Sequence, residues 1–149
     1  MEAPPKGPFV QVAAFCDRVL EDKDGTLSLI RIIDQVHHQV MGPDAPRDMP
    51  PFQYELAGVV CLKPGDALGR MNFEIVMERP DGTRKMGGSG SIHFPGGANN
   101  GVNVPLRLNV MFEQEGLYWF DIVMEEQLLT RMPVMVNYSR LTVGPSQPS

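Results

Sequence analysis

The sequence is short of cysteine, of basic charge and of long apolar runs, and each shortage excludes something. Two cysteines in 149 residues cannot build a disulfide framework. Thirteen Lys and Arg against 18 Asp and Glu leave a net charge of −5. That sign repels phosphate backbones, so general nucleic-acid binding is not expected. No apolar stretch approaches the roughly 20 residues that a membrane-spanning helix needs. The opening Met1-Glu2-Ala3-Pro4-Pro5-Lys6 has neither the basic nor the apolar part of a secretory signal, so a soluble, cytoplasmic chain is expected. Helical 3, 4, 3 spacing is missing from every long segment, and 15 Gly with 14 Pro are spread along the chain too evenly for long helices.

What is present is alternation. Met71, Phe73, Ile75 and Met77 alternate with Arg70, Asn72, Glu74 and Glu78. Val102, Val104, Leu106, Leu108, Val110 and Phe112 alternate with Asn103, Pro105, Arg107 and Asn109. Successive strand side chains point to opposite faces, so each segment has one dry and one wet face. A sheet with one wet face is typically antiparallel. About eight strands are predicted, over residues 9–20, 27–40, 53–63, 70–79, 84–94, 102–113, 117–124 and 128–136. Asp24-Gly25 and Asp81-Gly82 mark tight turns, and Pro64-Gly65 and Pro95-Gly96-Gly97 close other strands. Residues 42–51 hold four prolines and predict an extended crossover between sheets. The reading is an all-β chain folded as a two-sheet antiparallel β-sandwich. It places one domain over residues 9–143, between a disordered lead-in (1–8) and a disordered tail (144–149).

Phe15-Cys16-Asp17, Asp24-Gly25-Thr26-Leu27-Ser28-Leu29 and Ile33-Asp34, together with the hairpin Arg79-Pro80-Asp81-Gly82, resemble a family of small bacterial proteins of unknown function. The closing Phe112-Glu113-Gln114-Glu115-Gly116-Leu117-Tyr118-Trp119-Phe120, with Leu128-Leu129 and Pro133, matches the last hairpin of that family. The same closing pattern is shared by many immunoglobulin-like sandwiches, so the resemblance implies an immunoglobulin-like fold. It covers roughly residues 10–136 and supplies no catalytic residues. Glu125-Glu126 stands where a turn pair containing Gly or Asn is expected.

Candidate chemistry is thin. Cys16 and Cys61 lie in apolar strand-like runs and read as small buried hydrophobes, with a bridge between neighbouring strands or a reactive thiol as alternatives. His37 and His38 point to opposite faces of a strand and cannot share an ion, and neither they nor His93 stand near a second ligand. The H-E-x-x-H and C-x-x-C patterns are absent. Gly87-Gly88-Ser89-Gly90-Ser91 precedes no helix, so it reads as a bulge or close backbone approach rather than a phosphate cradle. The loop from Gly96 through Asn100 to Gly101 is flexible by composition and open to a binding role. Gly88-Ser89-Gly90 is not a nucleophile elbow, since Met86 stands where the first glycine belongs. Glu21, Asp22 and Asp24 cluster at a turn, where a calcium-binding sandwich would place ligands, with Asp44, Asp48, Asp66 and Asp81 as conceivable partners.

No enzyme is therefore expected, and no cofactor or metal is assigned. The favoured function is a non-enzymatic binding or scaffold module working through a sheet face, edge or loop, toward a protein partner or another copy of the chain. The alternative is a small-ligand or calcium-binding sandwich. One surface is singled out. If strands 102–113 and 117–124 form a hairpin with the loop Gln114-Glu115-Gly116, Phe112 faces Tyr118 and Val110 faces Phe120. The outward face then gathers Trp119, Met111, Leu117, Val123 and Arg107 into an exposed patch. Either a partner or a loop such as residues 42–51 would cover it.

Overall fold

The computed structural model describes residues 6–97 and 99–141. It contains nine strands and, among the described residues, no helix: β1 (Phe9–Glu21), β2 (Leu27–Ile33), β3 (Gln35–Met41), β4 (Phe52–Lys63), β5 (Gly69–Glu78), β6 (Arg84–Phe94), β7 (Val102–Phe112), β8 (Gly116–Met124) and β9 (Gln127–Leu141). They form a four-stranded sheet in the order β2-β1-β4-β7 and a five-stranded sheet in the order β3-β9-β8-β5-β6. Residues 1–5 and 142–149, where most of the expected lead-in and the whole expected tail fall, lie outside the described residues.

The alternation predicted for β5 and β7 places the core. Phe73, Ile75 and Met77 from one sheet, and Leu106, Val110 and Phe112 from the other, belong to one buried cluster. Tyr118, Phe120, Ile122 and Met124 of β8, and Met132, Val134 and Val136 of β9, complete the five-stranded side. Opposite them, Leu56, Val60 and Leu62 of β4 take every second position. Gly58 stands in that row because Phe15 lies across it. A Cβ there would come within 2.6 Å of the Ala14 carbonyl oxygen and 2.9 Å of the Phe15 ring. The expected turns hold, with Gly25 and Gly82 at φ 86° and 87° joining β1 to β2 and β5 to β6. Residues 42–51 do cross from one sheet to the other.

Three expectations are corrected. The predicted strand over residues 27–40 is two strands in different sheets, broken at Asp34. The apolar phase carries the break: Ile33 packs on the core at an odd position, Val36 at an even one. The sandwich is not wholly antiparallel, because β3 pairs with β9 in parallel, from Gln35 opposite Met135 to Met41 opposite Leu141. A crossover brings β3 to that edge, and only tight hairpins force antiparallel neighbours. Finally, β7 and β8 do not pair. Each lies in a different sheet, and residues between them carry the chain across the core.

Candidate functional site

The corrected β7–β8 connection divides the patch expected from sequence. Met111 and Arg107 lie on the outer face of the four-stranded sheet, opposite Gln53 and Ala57 of β4. Leu117, Trp119 and Val123 lie on the outer face of the five-stranded sheet, opposite Met135, Pro133 and Leu128 of β9. The inward residues of the proposed pairing do meet, but across the core, with the Phe112 and Tyr118 rings edge-on at 4.8 Å. The Tyr118 hydroxyl donates to the Gln114 carbonyl at 2.8 Å and accepts from its N–H at 3.0 Å, which pins the crossing. Proximity in sequence and matching parity were read as a hairpin. Burial parity is equally well met by two strands facing each other through the core.

Around Trp119 the chain satisfies itself. The Arg131 guanidinium sits over the indole, 4.7 Å from its centre. Arg131 also donates to Asp121 (2.7 Å) and Glu78 (3.0 Å), and Arg84 donates to the same two carboxylates, at 3.0 Å each. Asp121 is 3% exposed, and two arginines close the ring around it. Hydrogen bonds donated to the ring's carboxylates, Asp121 first, raise both guanidinium pKa values. The loop of residues 42–51 does not cover this face. Its Pro46 carbonyl accepts from the Tyr138 hydroxyl at 2.6 Å, and Met49 enters the core.

The other titratable candidates are held in local structure. Asp24 accepts from the Thr26 N–H at 3.0 Å, which lowers its pKa. Asp81 accepts from the Thr83 hydroxyl and N–H and from the Gln114 amide, and these bonds bring its pKa to about 2. Asp66 accepts from the Gly7 N–H at 2.7 Å. His38 is half-buried and stacks on Phe52 at 4.0 Å, while His37 is exposed, the division that strand parity predicts. Among the described residues no three His, Cys, Asp or Glu side chains gather as metal ligands. Both cysteines are free, and burial pushes both thiols up. Cys16 is buried as expected, whereas Cys61 is half-buried.

The surface that sequence reasoning missed is the outer face of the four-stranded sheet. Register sets out its rows: Ile32, Cys16, Ala57 and Arg107 lie side by side across four strands. Ala14, Val59 and Pro105 form the next row, and Val12, Cys61 and Asn103 the one after. The floor is built of small apolar side chains. Around it Phe9, Val12, Leu20, Ile30 and Ile32 are exposed, Ile32 to 68%. Arg107 and Glu55 pair at 2.9 Å on its border.

Next to this floor the β1–β2 hairpin projects. Pairing of β1 with β4 stops at Cys16 opposite Ala57, whereas pairing with β2 runs on to Glu21 opposite Leu27. The outer half of the hairpin therefore has no third strand. Leu20 and Ile30 are exposed on one face of this arm, and Val19, Leu27 and Leu29 on the other are only half-buried and are not packed on the core. Asp17 and Arg31 form an ion pair across it, with Arg31 at φ 58°. Where the arm leaves β4 there is a depression of about 610 Å³, bordered by Arg18, Glu21, Glu55 and Arg107. The sequence signal was available: Leu27, Leu29, Ile30 and Ile32 leave β2 with no wet face.

Residues 11–137 match the family of unknown function DUF6941. No curated protein matches the sequence. Among solved structures, the beta-glucosidase from Listeria innocua is similar at 11% identity, with a TM-score of 0.48, over 73% of this chain. The chain spans about 15% of that protein's length. No helix among the described residues is long and apolar enough to cross a membrane.

Proposed function

The chain belongs to this family of unknown function, and from that premise we propose that it is a non-enzymatic protein-binding module on an immunoglobulin-like frame. Its docking surface is the outer face of the four-stranded sheet together with the β1–β2 arm. Connectivity supports the frame. Strands β4 and β7 pair in one sheet, β6-β5-β8-β9 run in the other, and an edge strand, β3, lies parallel to β9. The Tyr118 hydroxyl, bonded back to the Gln114 backbone where the chain changes sheets, is a tyrosine corner of the kind such sandwiches carry. The frame does not require the β1–β2 arm, and function in a shared fold resides in what is grafted onto it.

The observation that carries the proposal is the set of exposed apolar side chains on the arm and along the edge of the floor, Val12, Leu20, Ile30 and Ile32, around a floor whose Cys16 and Val59 are themselves buried. An isolated two-stranded hairpin is marginal in water, and a contiguous exposed apolar field bordered by charge marks an interaction site. Met111 lies on the same outer face beyond the Glu55–Asn109 row, and Arg107, among the residues expected from sequence, borders this field. Leu117, Trp119 and Val123 do not.

The test compares the wild type with Ile30→Lys/Ile32→Lys as bait in the native source extract, alongside thermal melting of each. A partner held by the wild type and lost by the variant, with both melting alike, is the expected result. Equal capture by both baits, or loss caused instead by Trp119→Ala, overturns the assignment of this face.

A further inference from the structure

The opposite flank of the sandwich, between β6 and β7, is open. These strands are the free edges of their sheets, and they run alongside each other without hydrogen bonding. A depression of about 280 Å³ lies between Gly88 to Ile92 of β6 and Val104 to Leu108 of β7, and reaches Phe73 and Ile75 of the core. A second, of about 110 Å³, continues it past Lys85, Met86 and Gly87 toward Val110 and Glu113.

A β-bulge at Gly87, between Met86 opposite Val76 and Gly88 opposite Ile75, accounts for the first glycine of the run, but Gly88 and Gly90 need an explanation that the bulge does not supply. Gly88 lies opposite Ile75 and Gly90 opposite Phe73. Since Ile75 and Phe73 face the core, both glycines turn toward the open flank. Neither has a positive φ. A Cβ built on either would meet nothing within 4 Å. Glycine weakens a strand, and where neither backbone angle nor crowding demands it, it marks a place that another chain approaches. The other free edges are short or interrupted: β7 carries Pro105, β2 has Arg31 in the left-handed region, and β3 has seven residues. From Gly88 to Phe94, β6 has no such interruption.

We propose that β6 accepts an extended segment of a partner protein as an added strand. That segment carries bulky apolar side chains at alternate positions, which fill the space over Gly88 and Gly90 against Leu106 and Leu108. A carboxylate lies at the end facing Lys85. Charge complementarity selects this occupant. Lys85 makes no ion pair among the described residues, and Arg79 lines the same end, with Glu113 the one acid there. Backbone bonds to a free edge give such binding its affinity, and the alternate side chains give it specificity. This site is separate from the arm and floor surface and stands or falls without it.

The probe is a fluorescein-labelled synthetic peptide with one Asp followed by three Leu-Thr repeats. Binding is read by anisotropy, and amide hydrogen exchange is followed in β6. The peptide is expected to protect amides between Gly88 and Phe94 and to bind at least tenfold more weakly to Gly88→Val/Gly90→Val. That variant should melt no lower than the wild type, because its new side chains meet open space. Lys85→Glu should weaken binding severalfold, and replacing the peptide's Asp by Lys should restore it. Three results overturn the proposal: no protection at millimolar peptide, unchanged binding by the double-valine variant, or β6 protection without peptide that grows with protein concentration. The last would assign the edge to a second copy of the chain.

Discussion

Phe73 stands at the centre of the face that β5 turns inward, 6% exposed and part of the core cluster. Phe73→Ala removes a ring from close-packed surroundings that relax only partly, so a loss of about 3–5 kcal/mol is expected in denaturant unfolding. A loss under about 1 kcal/mol would mean that the ring is not in the core. Asp81 makes a different kind of prediction. Its carboxylate accepts three hydrogen bonds at the β5–β6 turn, which hold its pKa at about 2, below the roughly 3.9 of an unfolded chain. A depressed carboxylate stabilises the fold above its unfolded pKa, and that contribution disappears as pH falls through the folded value. Carboxyl NMR should show Asp81 titrating near pH 2, and Thr83→Val should move the midpoint upward. A wild-type midpoint near 4 would contradict the turn geometry.

At the scale of the element, the β8–β9 hairpin carries the departure noted in the sequence. Met124 pairs with Gln127, so Glu125 and Glu126 form the whole turn, with φ of 48° and 67°. Two left-handed residues are what a tight two-residue hairpin demands, and Asn or Gly usually supplies them. Glu125 has a compensating role. Its N–H donates to the Asn72 carbonyl at 3.0 Å and its side chain accepts from the Asn72 N–H at 2.7 Å, tying the turn to β5. Glu126 has no comparable bond among those described. Glu126→Gly should therefore raise stability by about 1 kcal/mol through relief of backbone strain. Glu125→Gly should gain less or lose, because it gives up the bond to Asn72. Parallel denaturation curves decide this, and a larger gain from Glu125→Gly would show that the side-chain bond contributes nothing.

At the scale of the molecule, the four-stranded sheet keeps its two cysteines apart although their strands are neighbours. Cys16 lies opposite Ala57, and Cys61 lies opposite Val12. Four residues of register place Cys61 about 13 Å along the strand from the partner of Cys16, and a disulfide needs Cα atoms within about 7 Å. Adding a reductant should leave the melting temperature unchanged. A fall would require a register in which β1 slides along β4, and Gly58 opposes that slide. It is the residue on which Phe15 rests, and the Ala14 carbonyl leaves no space for a Cβ there.

Period-2 alternation determined the all-β class, the core faces of β5 and β7, and the positions of most strands, because side-chain direction in a strand depends on position alone. Glycine and proline placement determined the turns at Asp24-Gly25 and Asp81-Gly82 and the crossover of residues 42–51, because those backbones are set locally. Which strands pair is not local. The Phe112–Tyr118 contact satisfies the same parity across the core as in a hairpin, so only the tertiary structure could place β7 and β8 in separate sheets. The same is true of the ring around Asp121, whose members come from β5, β6, β8 and β9. The apolar floor formed by Ala14, Cys16, Ala57, Val59 and Pro105 also depends on assembly. Its residues read as interior in each strand taken alone, and only the pairing register brings them together on the outer side of the sheet, where Cys16 and Val59 are buried among their neighbours.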